Sequence, residues 1–293
     1  MDFSYFQHEA TKTDKTMPND ERGLMISLLG LTGEAGSLHT EFKKHLRDGD
    51  AYYLFNEKIT EELGDILWYV ANIASRQKLD LSAIAAQNLA KTTDRWLSKT
   101  HPDALGEKLF DEDFPVAEQI PRKFRVEIRE VMVKEGMKVQ VEWDEGSFGD
   151  QLTDNSYVDD GYRFHDVFHL AYLATLGWSP ICRRFFNRKR KSDLKVDEVE
   201  DGGRAAVIDE AISALVFDHA KAYSYYDGVD TVAYELLRII KDMTARLEVS
   251  RCSMNEWERA ILEGFRVWRL VKENKGGIIV GDLVAKTIEY QPL

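Results

Sequence analysis

The length, composition and charge of the chain exclude several classes of protein. A chain of 293 residues corresponds to about two domains of roughly 150 residues each. Its 44% apolar and 11% aromatic residues can fill a large core, which excludes intrinsic disorder as the main state. Lys and Arg number 39 against 51 Asp and Glu, so the net charge is −12, and basic residues form no block beyond 188–191. Nucleic-acid binding is therefore disfavoured, whereas a small polyanion is still admitted where a pocket or a divalent cation supplies positive charge.

The cysteines and the distribution of apolar residues indicate the cellular setting. Cys182 and Cys252 are too few for a disulfide framework or a four-cysteine zinc site, and we interpret them as buried thiols in a reducing compartment. The N-terminus has no signal-peptide pattern, and no run of 18 apolar residues occurs. We expect a soluble cytoplasmic protein that does not interact with membranes.

Apolar residues recur with helical spacing throughout residues 20–98. The three predicted helices span Leu24–Leu46, Asn56–Arg76 and Leu81–Leu97. Residues 99–122 then contain three prolines and an acidic run. This change of composition predicts a linker between an all-α domain, residues 1–98, and a second domain, residues 123–293.

The second domain mixes strands with helices. Apolar and charged residues alternate at 124–129 and again at 137–142, with Gly136 just before the second run, which predicts a hairpin. Helical spacing returns in four segments, which are Tyr162–Leu176, Arg204–Ser224, Val232–Leu247 and Glu256–Lys272. Residues 278–290 predict a last strand that can join the hairpin. The predicted fold class is mainly α, with an N-terminal helical bundle and a C-terminal α+β half that contains a small antiparallel sheet.

Three acidic residues on two of the predicted helices are candidate metal ligands. Glu34 lies in the middle of the first helix, while Glu62 and Asp65 lie three residues apart on the second helix and share one face. The apolar residues around Asp65 predict that it is embedded in a packed segment, where an unpaired carboxylate is costly. Oxygen-only ligation suits Mg²⁺ or Mn²⁺. From spacing alone, the alternative is that all three are solvated acids on helix surfaces.

The strings around these acids resemble a known family. Leu-Gly-Leu-Thr-Gly-Glu-Ala-Gly at 29–36 and Glu-Glu-Leu-Gly-Asp-Ile-Leu-Trp-Tyr at 61–69 are similar to the motifs of MazG-type all-α nucleoside triphosphate pyrophosphohydrolases. The resemblance covers about residues 22–98. It implies that Mg²⁺-dependent cleavage between the α and β phosphates of a nucleoside triphosphate gives a nucleoside monophosphate and pyrophosphate. It also implies that the three acids named above are the catalytic metal ligands.

The chain departs from the family pattern at one position. Ser37 stands where the family has a second glutamate on the first helix. Glu41 lies on the same stripe, but it is seven residues beyond Glu34, about 10 Å along the axis, which is too far to share one ion. The sequence leaves three interpretations open: the site holds fewer ions, it binds them more weakly, or the protein binds nucleotides without catalysis.

The third helix carries candidate phosphate ligands. Asn88, Lys91 and Arg95 form one polar stripe, and the string at 87–96 is similar to the family's third helix, whose Asn, Lys and Arg contact phosphates. In that interpretation Arg95 binds a phosphate bidentately and Lys91 acts as a point charge. The alternative is a solvated helix face.

A histidine pair in the second half supports a second hypothesis. His165 and His169 have the i, i+4 spacing that can hold a metal, with Glu210 as a possible third ligand. The dipeptide His165-Asp166 is also similar to HD-type phosphohydrolases, so the second hypothesis is a His-based metal phosphohydrolase. The alternative is that the histidines are structural and hydrogen-bonded to Asp166 or Tyr162.

Two strings of the N-terminal helices recur in the second half in reverse order. Residues 64–74 resemble residues 165–175, and residues 34–38 resemble residues 210–215. The second half is then a permuted, degenerate copy, in which Arg163 stands at the position equivalent to Glu62 and would repel a cation. Such a copy would pack on the first as the other half of a dimer. The predicted assembly is accordingly a homo-oligomer or an intrachain pseudo-dimer, and chance similarity between helices is the alternative.

Overall fold

Two compact units make up the chain, residues 1–92 and residues 93–293. The structure is a computed structural model, and the residues it describes are 1–15, 21–96, 108–134, 136–143, 146–147 and 151–293. Within these ranges the chain forms ten α-helices and one five-stranded antiparallel sheet. The predicted class, mainly helical with a small antiparallel sheet in the C-terminal half, is confirmed.

Four helices belong wholly or mainly to the first unit, namely α1 (Phe3–Thr13), α2 (Glu21–Asp48), α3 (Phe55–Arg76) and α4 (Leu81–Trp96). The predicted helices correspond to α2, α3 and α4, and the predicted end of the third, Leu97, lies outside the described residues. Helix α1 was not predicted. The Asp2 carboxylate caps its N-terminus by accepting from the backbone N–H of Tyr5 at 2.8 Å. The Gln7 side chain holds α1 on its neighbours, because its Nε2 donates to Ser75 Oγ at 3.0 Å and to the Leu79 carbonyl at 2.8 Å.

Helices α2 and α3 approach each other closely at Gly30. A Cβ atom on Gly30 would lie 2.2 Å from the ring of Tyr69 on α3, whereas a Cβ on Gly33 would meet nothing within 4 Å. Gly30 therefore allows a close crossing that a larger residue would block. Glu34 lies one turn after Gly30 on the same face of α2, so the crossing brings Glu34 towards α3.

The core of the first unit is small. Its cluster of buried apolar residues consists of Ala10, Ala71 and Leu81. The expectation that Asp65 is embedded in a packed segment is wrong, since Asp65 is exposed. The physical reason is that its apolar neighbours Leu63 and Leu67 are themselves 47% and 44% exposed. Apolar spacing identified the helix correctly but could not show what covers its apolar face.

The sheet lies in the second unit and has the strand order β3-β2-β1-β4-β5. Its strands are β1 (Lys123–Val133), β2 (Gly136–Trp143), β3 (Gly146–Ser147), β4 (Gly276–Asp282) and β5 (Thr287–Gln291). The predicted hairpin is β1–β2, with Ile128 opposite Val141. The predicted last strand is two strands, because Asp282 accepts hydrogen bonds from the backbone N–H groups of Val284 and Ala285 and turns the chain back. Strand β4 pairs with β1 and thereby joins the hairpin, as predicted.

Six helices complete the second unit, namely α5 (Asp166–Leu176), α6 (Pro180–Phe185), α7 (Leu194–Val199), α8 (Gly203–Ala220), α9 (Tyr234–Thr244) and α10 (Met254–Asn274). The four predicted helical segments correspond to α5, α8, α9 and α10. Helices α6 and α7 were not predicted, because six residues are too few to show a period. All residues of α5 are buried, and this helix packs against α10 and against strands β4 and β5. Helix α5 is therefore the centre of the unit's core.

Part of the predicted linker belongs to the second unit. Residues 99–107 lie outside the described residues, but the structure describes residues 108–122 as packed chain. Asp111 is buried, with one oxygen 2.7 Å from Arg122 Nη1 and the other 3.1 Å from Arg183 Nη2. The prolines and acidic residues of this segment therefore mark a loop packed on a core rather than an exposed connection.

Candidate functional site

Two of the three predicted metal ligands meet in the first unit. Glu62 on α3 and Glu34 on α2 lie close enough for a side-chain hydrogen bond between their carboxyl groups. Partial burial, this hydrogen bond and the negative charges of Glu34, Glu61 and Asp65 raise the pKa of Glu62 above its ordinary value. Asp65 is exposed one turn further along α3, and in the described residues the three carboxylates do not all lie within coordination distance of one another. The structure thus brings Glu34 and Glu62 together, and Asp65 is close enough for its negative charge to raise the pKa of Glu62.

The three acids have no basic partner in the part of the chain that the structure describes. Their acidic neighbours differ in this respect. Glu61 pairs with Lys58 at 2.8 Å, and Glu41 pairs with Lys44 at 2.6 Å. Carboxylates that crowd together without a cation repel each other, and a bound divalent cation removes that repulsion. The arrangement therefore suits a cation site.

Ser37 lies one turn after Glu34 on α2 and is half-buried. Glu41, one turn further, is buried and already occupied, because it accepts from the hydroxyl of Tyr52 and pairs with Lys44. These contacts hold the pKa of Glu41 below its usual value. Glu41 therefore stabilises the bend after α2 and does not replace the missing glutamate at position 37.

The predicted phosphate ligands on α4 have different environments. Asn88 and Lys91 are exposed, but Arg95 is buried. Nη1 of Arg95 lies 2.6 Å from Glu258 Oε1, and Nη2 donates to the carbonyl of Val232 at 2.8 Å. The structure therefore does not place Arg95 on an open polar stripe with the other two residues.

A second polar cluster lies in the second unit and is here called the histidine cluster, defined as His165, Asp166, His169 and Glu210. The ligand atoms of the first three all lie within 4.8 Å of one another, and all three residues are buried. Glu210 on α8 reaches both rings, with Oε1 3.3 Å from His165 Nε2 and Oε2 3.1 Å from His169 Nε2. The residues of the second hypothesis therefore do come together.

Hydrogen bonds from Nδ1 fix both imidazole rings. Nδ1 of His165 donates to the carbonyl of Tyr162 at 3.0 Å, and Nδ1 of His169 donates to Asp209 Oδ1 at 2.8 Å. Burial lowers the pKa of His169, but the charge of Asp209 and the hydrogen bonds with Asp209 and Glu210 outweigh burial and raise that pKa to about 10. On the other side of the rings, hydrogen bonds from His165 and His169 to Glu210 lower the pKa of Glu210 below its ordinary value.

Sequence reasoning missed Asp209, which is fully buried and holds three groups together. Besides His169, it accepts from Ser179 Oγ at 2.6 Å and from the backbone N–H of Ile181 at 3.2 Å. The available signal was its position, because Asp209 sits directly before Glu210 in a helix whose other buried residues are small or apolar. A buried acid in such a helix requires a donor nearby.

Helices α5 and α8, which carry the two recurring strings of the second half, pack against each other, as α2 and α3 do. Arg163, at the position corresponding to Glu62, pairs with Glu130 at 2.8 Å and with Asp154 at 2.6 Å. The second unit therefore has the positive charge of Arg163 at the position where the first unit has the carboxylate of Glu62. The repeat itself remains a prediction.

Family models match both halves of the chain. A model described as the MazG nucleotide pyrophosphohydrolase domain matches residues 26–97, and one described as the MazG C-terminal domain matches residues 106–293, which is more than half of the chain. The chain belongs to the MazG family. The resemblance seen in the acidic motifs is thereby confirmed, and the family supported is that of the nucleotide pyrophosphohydrolases.

One relative of this MazG protein is the Gene 37 protein of Mycobacterium phage L5, which is 39% identical over 75 residues. The match covers 25% of this chain and 66% of the phage protein, just under two thirds of its length. No solved structure matches the chain. Among the helices that the structure describes, none combines the length and the hydrophobicity needed to span a membrane.

Proposed function

We propose that this MazG protein is a metal-dependent nucleoside triphosphate pyrophosphohydrolase. It cleaves the bond between the α and β phosphates and releases a nucleoside monophosphate and pyrophosphate. The observation that carries the proposal is the contact between Glu34 and Glu62, in the segment that matches the MazG domain and without a basic partner in the described residues. Such a contact is unfavourable in the absence of a cation, so its presence favours a cation-dependent function.

The residues fit a hard divalent ion. Glu34, Glu62 and Asp65 offer only oxygen atoms, which are the ligands that Mg²⁺ and Mn²⁺ prefer. Asp65 is exposed, so its side chain can change rotamer at little cost when an ion binds. An ion held by these three residues would supply positive charge against the polyphosphate and help to activate a water. The hydroxyl of Ser37 replaces a carboxylate of the family pattern and leaves the site with one negative charge fewer.

The surface of α4 supplies the proposed phosphate contacts. Asn88 and Lys91 are exposed there, so a negatively charged substrate can reach them. Lys91 contributes a point charge and Asn88 a hydrogen-bond donor. Arg95 is left out of this proposal, because binding a phosphate would first require breaking its buried ion pair with Glu258.

The test is metal-dependent pyrophosphate release from a panel of ribo- and deoxyribonucleoside triphosphates, with Mg²⁺ or Mn²⁺. Loss of an outer-sphere partner alone costs about 10- to 100-fold, so we expect Glu62→Gln to reduce the release at least about 100-fold. The matched control is Glu61→Gln, since Glu61 is the adjacent residue on α3 but is exposed and paired with Lys58. This control should remain within a few-fold of the unmodified protein.

Two outcomes would contradict the proposal. One is the absence of metal-dependent pyrophosphate release from any triphosphate, and nucleotide binding without turnover would then indicate a non-catalytic protein. The other is equal activity of Glu62→Gln and Glu61→Gln. Ser37→Glu restores the family's charge, so it should lower the Mg²⁺ concentration needed for half-maximal activity.

A further inference from the structure

In both rings of the histidine cluster, Nε2 faces the carboxylate of Glu210, and Nδ1 already donates a hydrogen bond to another group. Nδ1 of His165 donates to a backbone carbonyl, and Nδ1 of His169 donates to Asp209. A neutral imidazole has a single N–H, so each Nε2 then carries a lone pair. These lone pairs face the oxygens of Glu210 at 3.3 and 3.1 Å. Four acceptor atoms at such distances require a cation between them, either an extra proton on each ring or one metal ion.

Asp166 adds a buried carboxylate to the same space. In the described part of the chain it accepts no hydrogen bond, and its ion-pair partner is Nε2 of His165 at 3.9 Å, beyond hydrogen-bond range. A buried carboxylate without hydrogen bonds is unfavourable, and such groups in native proteins commonly have a ligand or an ion nearby. Asp166 and Glu210 both offer carboxylate oxygens, and their two negative charges in the ionised form would balance a divalent ion.

Two of the distances between the candidate ligand atoms are close to those in a metal site. With ligand distances of about 2.0–2.1 Å, neighbouring ligand atoms of a tetrahedral zinc site are about 3.3 Å apart. Oε1 of Glu210 has this separation from Nε2 of His165, and Oε2 has it from Nε2 of His169, so Glu210 offers one oxygen to each ring. In addition, a carbonyl and a carboxylate on the Nδ1 atoms are the usual partners that orient metal-binding histidines. The rings are therefore positioned for coordination through Nε2.

We propose that His165, Asp166, His169 and Glu210 bind one divalent transition-metal ion, with Zn²⁺ as the representative of the class. Two imidazole nitrogens favour such ions over Mg²⁺ and Ca²⁺, which take oxygen ligands. The side chain of Glu210 is 45% exposed, so an ion can enter from solvent on that side. All four residues belong to the second unit, so the proposal does not rest on the pyrophosphohydrolase activity.

The test is a calorimetric titration of the full chain, stripped of metal, with ZnCl₂ in the presence of excess MgCl₂. We expect one Zn²⁺ per chain, and we expect Glu210→Gln and His165→Gln each to weaken binding at least about 100-fold, beyond the effect of losing an outer-sphere partner. The control is His8→Gln, which removes an exposed histidine of α1 and should leave binding unchanged. Co²⁺ in place of Zn²⁺ should give visible absorption typical of tetrahedral nitrogen and oxygen ligation.

Circular dichroism without metal shows whether the variants fold. If His165→Gln does not fold, Glu210→Gln alone decides the test, because Glu210 is half exposed and its replacement should not disturb the core. The proposal is overturned if the unmodified chain takes up no stoichiometric Zn²⁺, or if Glu210→Gln binds Zn²⁺ as tightly as the unmodified chain. The cluster would then be an ion-pair network of protonated histidines. Glu62→Gln should abolish pyrophosphate release without changing Zn²⁺ uptake, so the two proposals fail independently.

Discussion

Replacing Arg95 with alanine separates a structural role of this residue from a role in substrate binding. Arg95 pairs with Glu258 at 2.6 Å, and the side chain of Glu258 is only 9% exposed. The second oxygen of Glu258 accepts from the backbone N–H of Val232 at 2.6 Å. Arg95→Ala would therefore leave a buried carboxylate with one hydrogen bond and no counter-charge.

The expected loss of stability can be estimated from this geometry. Removing one partner of a buried ion pair costs about 3–5 kcal/mol. The contact of Nη1 with Glu258 is close but is not aligned as a hydrogen bond, which favours the lower end, about 3 kcal/mol. For a unit of this size, 1 kcal/mol shifts the Tm by about 2–4 °C, so Arg95→Ala should lower the Tm of the second unit by about 6–12 °C.

Near-UV circular dichroism during heating measures this shift. The control is Asn88→Ala, which lies two turns earlier on α4, is exposed, and should change the Tm by less than about 2 °C. The structural role would be refuted if Arg95→Ala left the Tm within about 2 °C of the unmodified protein. If the same variant raised the KM for a triphosphate, Arg95 would be a phosphate ligand.

Two further predictions concern packing in the first unit and charge in the second. Gly30→Ala places a methyl group against the ring of Tyr69 and should destabilise the protein by about 1–3 kcal/mol in thermal melts, whereas Gly33→Ala has open space and should stabilise it by up to about 1 kcal/mol. Equal effects would contradict the close crossing of α2 and α3. Burial raises the pKa of Asp111, but the charge of Arg183 and hydrogen bonds outweigh it and hold that pKa below its usual value. The stability that Asp111 contributes is then present above about pH 4 and is lost as the pH falls through its folded pKa. Urea unfolding should show Asp111→Asn less stable by about 3 kcal/mol near neutral pH, with the difference shrinking in acid. A difference that persists into acid would exclude this ion pair as its cause.

The helices of the first unit could be predicted because helical spacing is a local property. The boundaries predicted for α2 and α3 differ from the structure by at most three residues, and three-residue spacing placed Glu62 and Asp65 on one face. Helix α1 was not predicted, because its position depends on hydrogen bonds from Gln7 to residues about 70 positions later in the chain. A periodicity argument contains no information about such contacts.

Features that depend on distant partners could not be predicted. Helical spacing grouped Arg95 with Asn88 and Lys91, but Arg95 is buried against Glu258, which lies on α10, far along the sequence. The same limitation explains residues 108–122, whose prolines indicated a linker although Asp111 is held by Arg183. In both cases a charged side chain that looks solvated in the sequence is neutralised by a buried partner.

The two polar clusters show why similar helix pairs need not bind the same ion. In the first unit, Glu34 and Glu62 face each other with oxygen atoms alone, whereas in the second unit Arg163 stands at the position corresponding to Glu62 and its charge is satisfied by Glu130 and other acids. An arginine at that position excludes a hard cation from the oxygen site, and the remaining donors of the second unit include two imidazole nitrogens. Oxygen ligands favour Mg²⁺ or Mn²⁺, and mixed nitrogen and oxygen ligands favour the Zn²⁺ class. If both sites are built as proposed, each should therefore retain its own ion when both kinds are present.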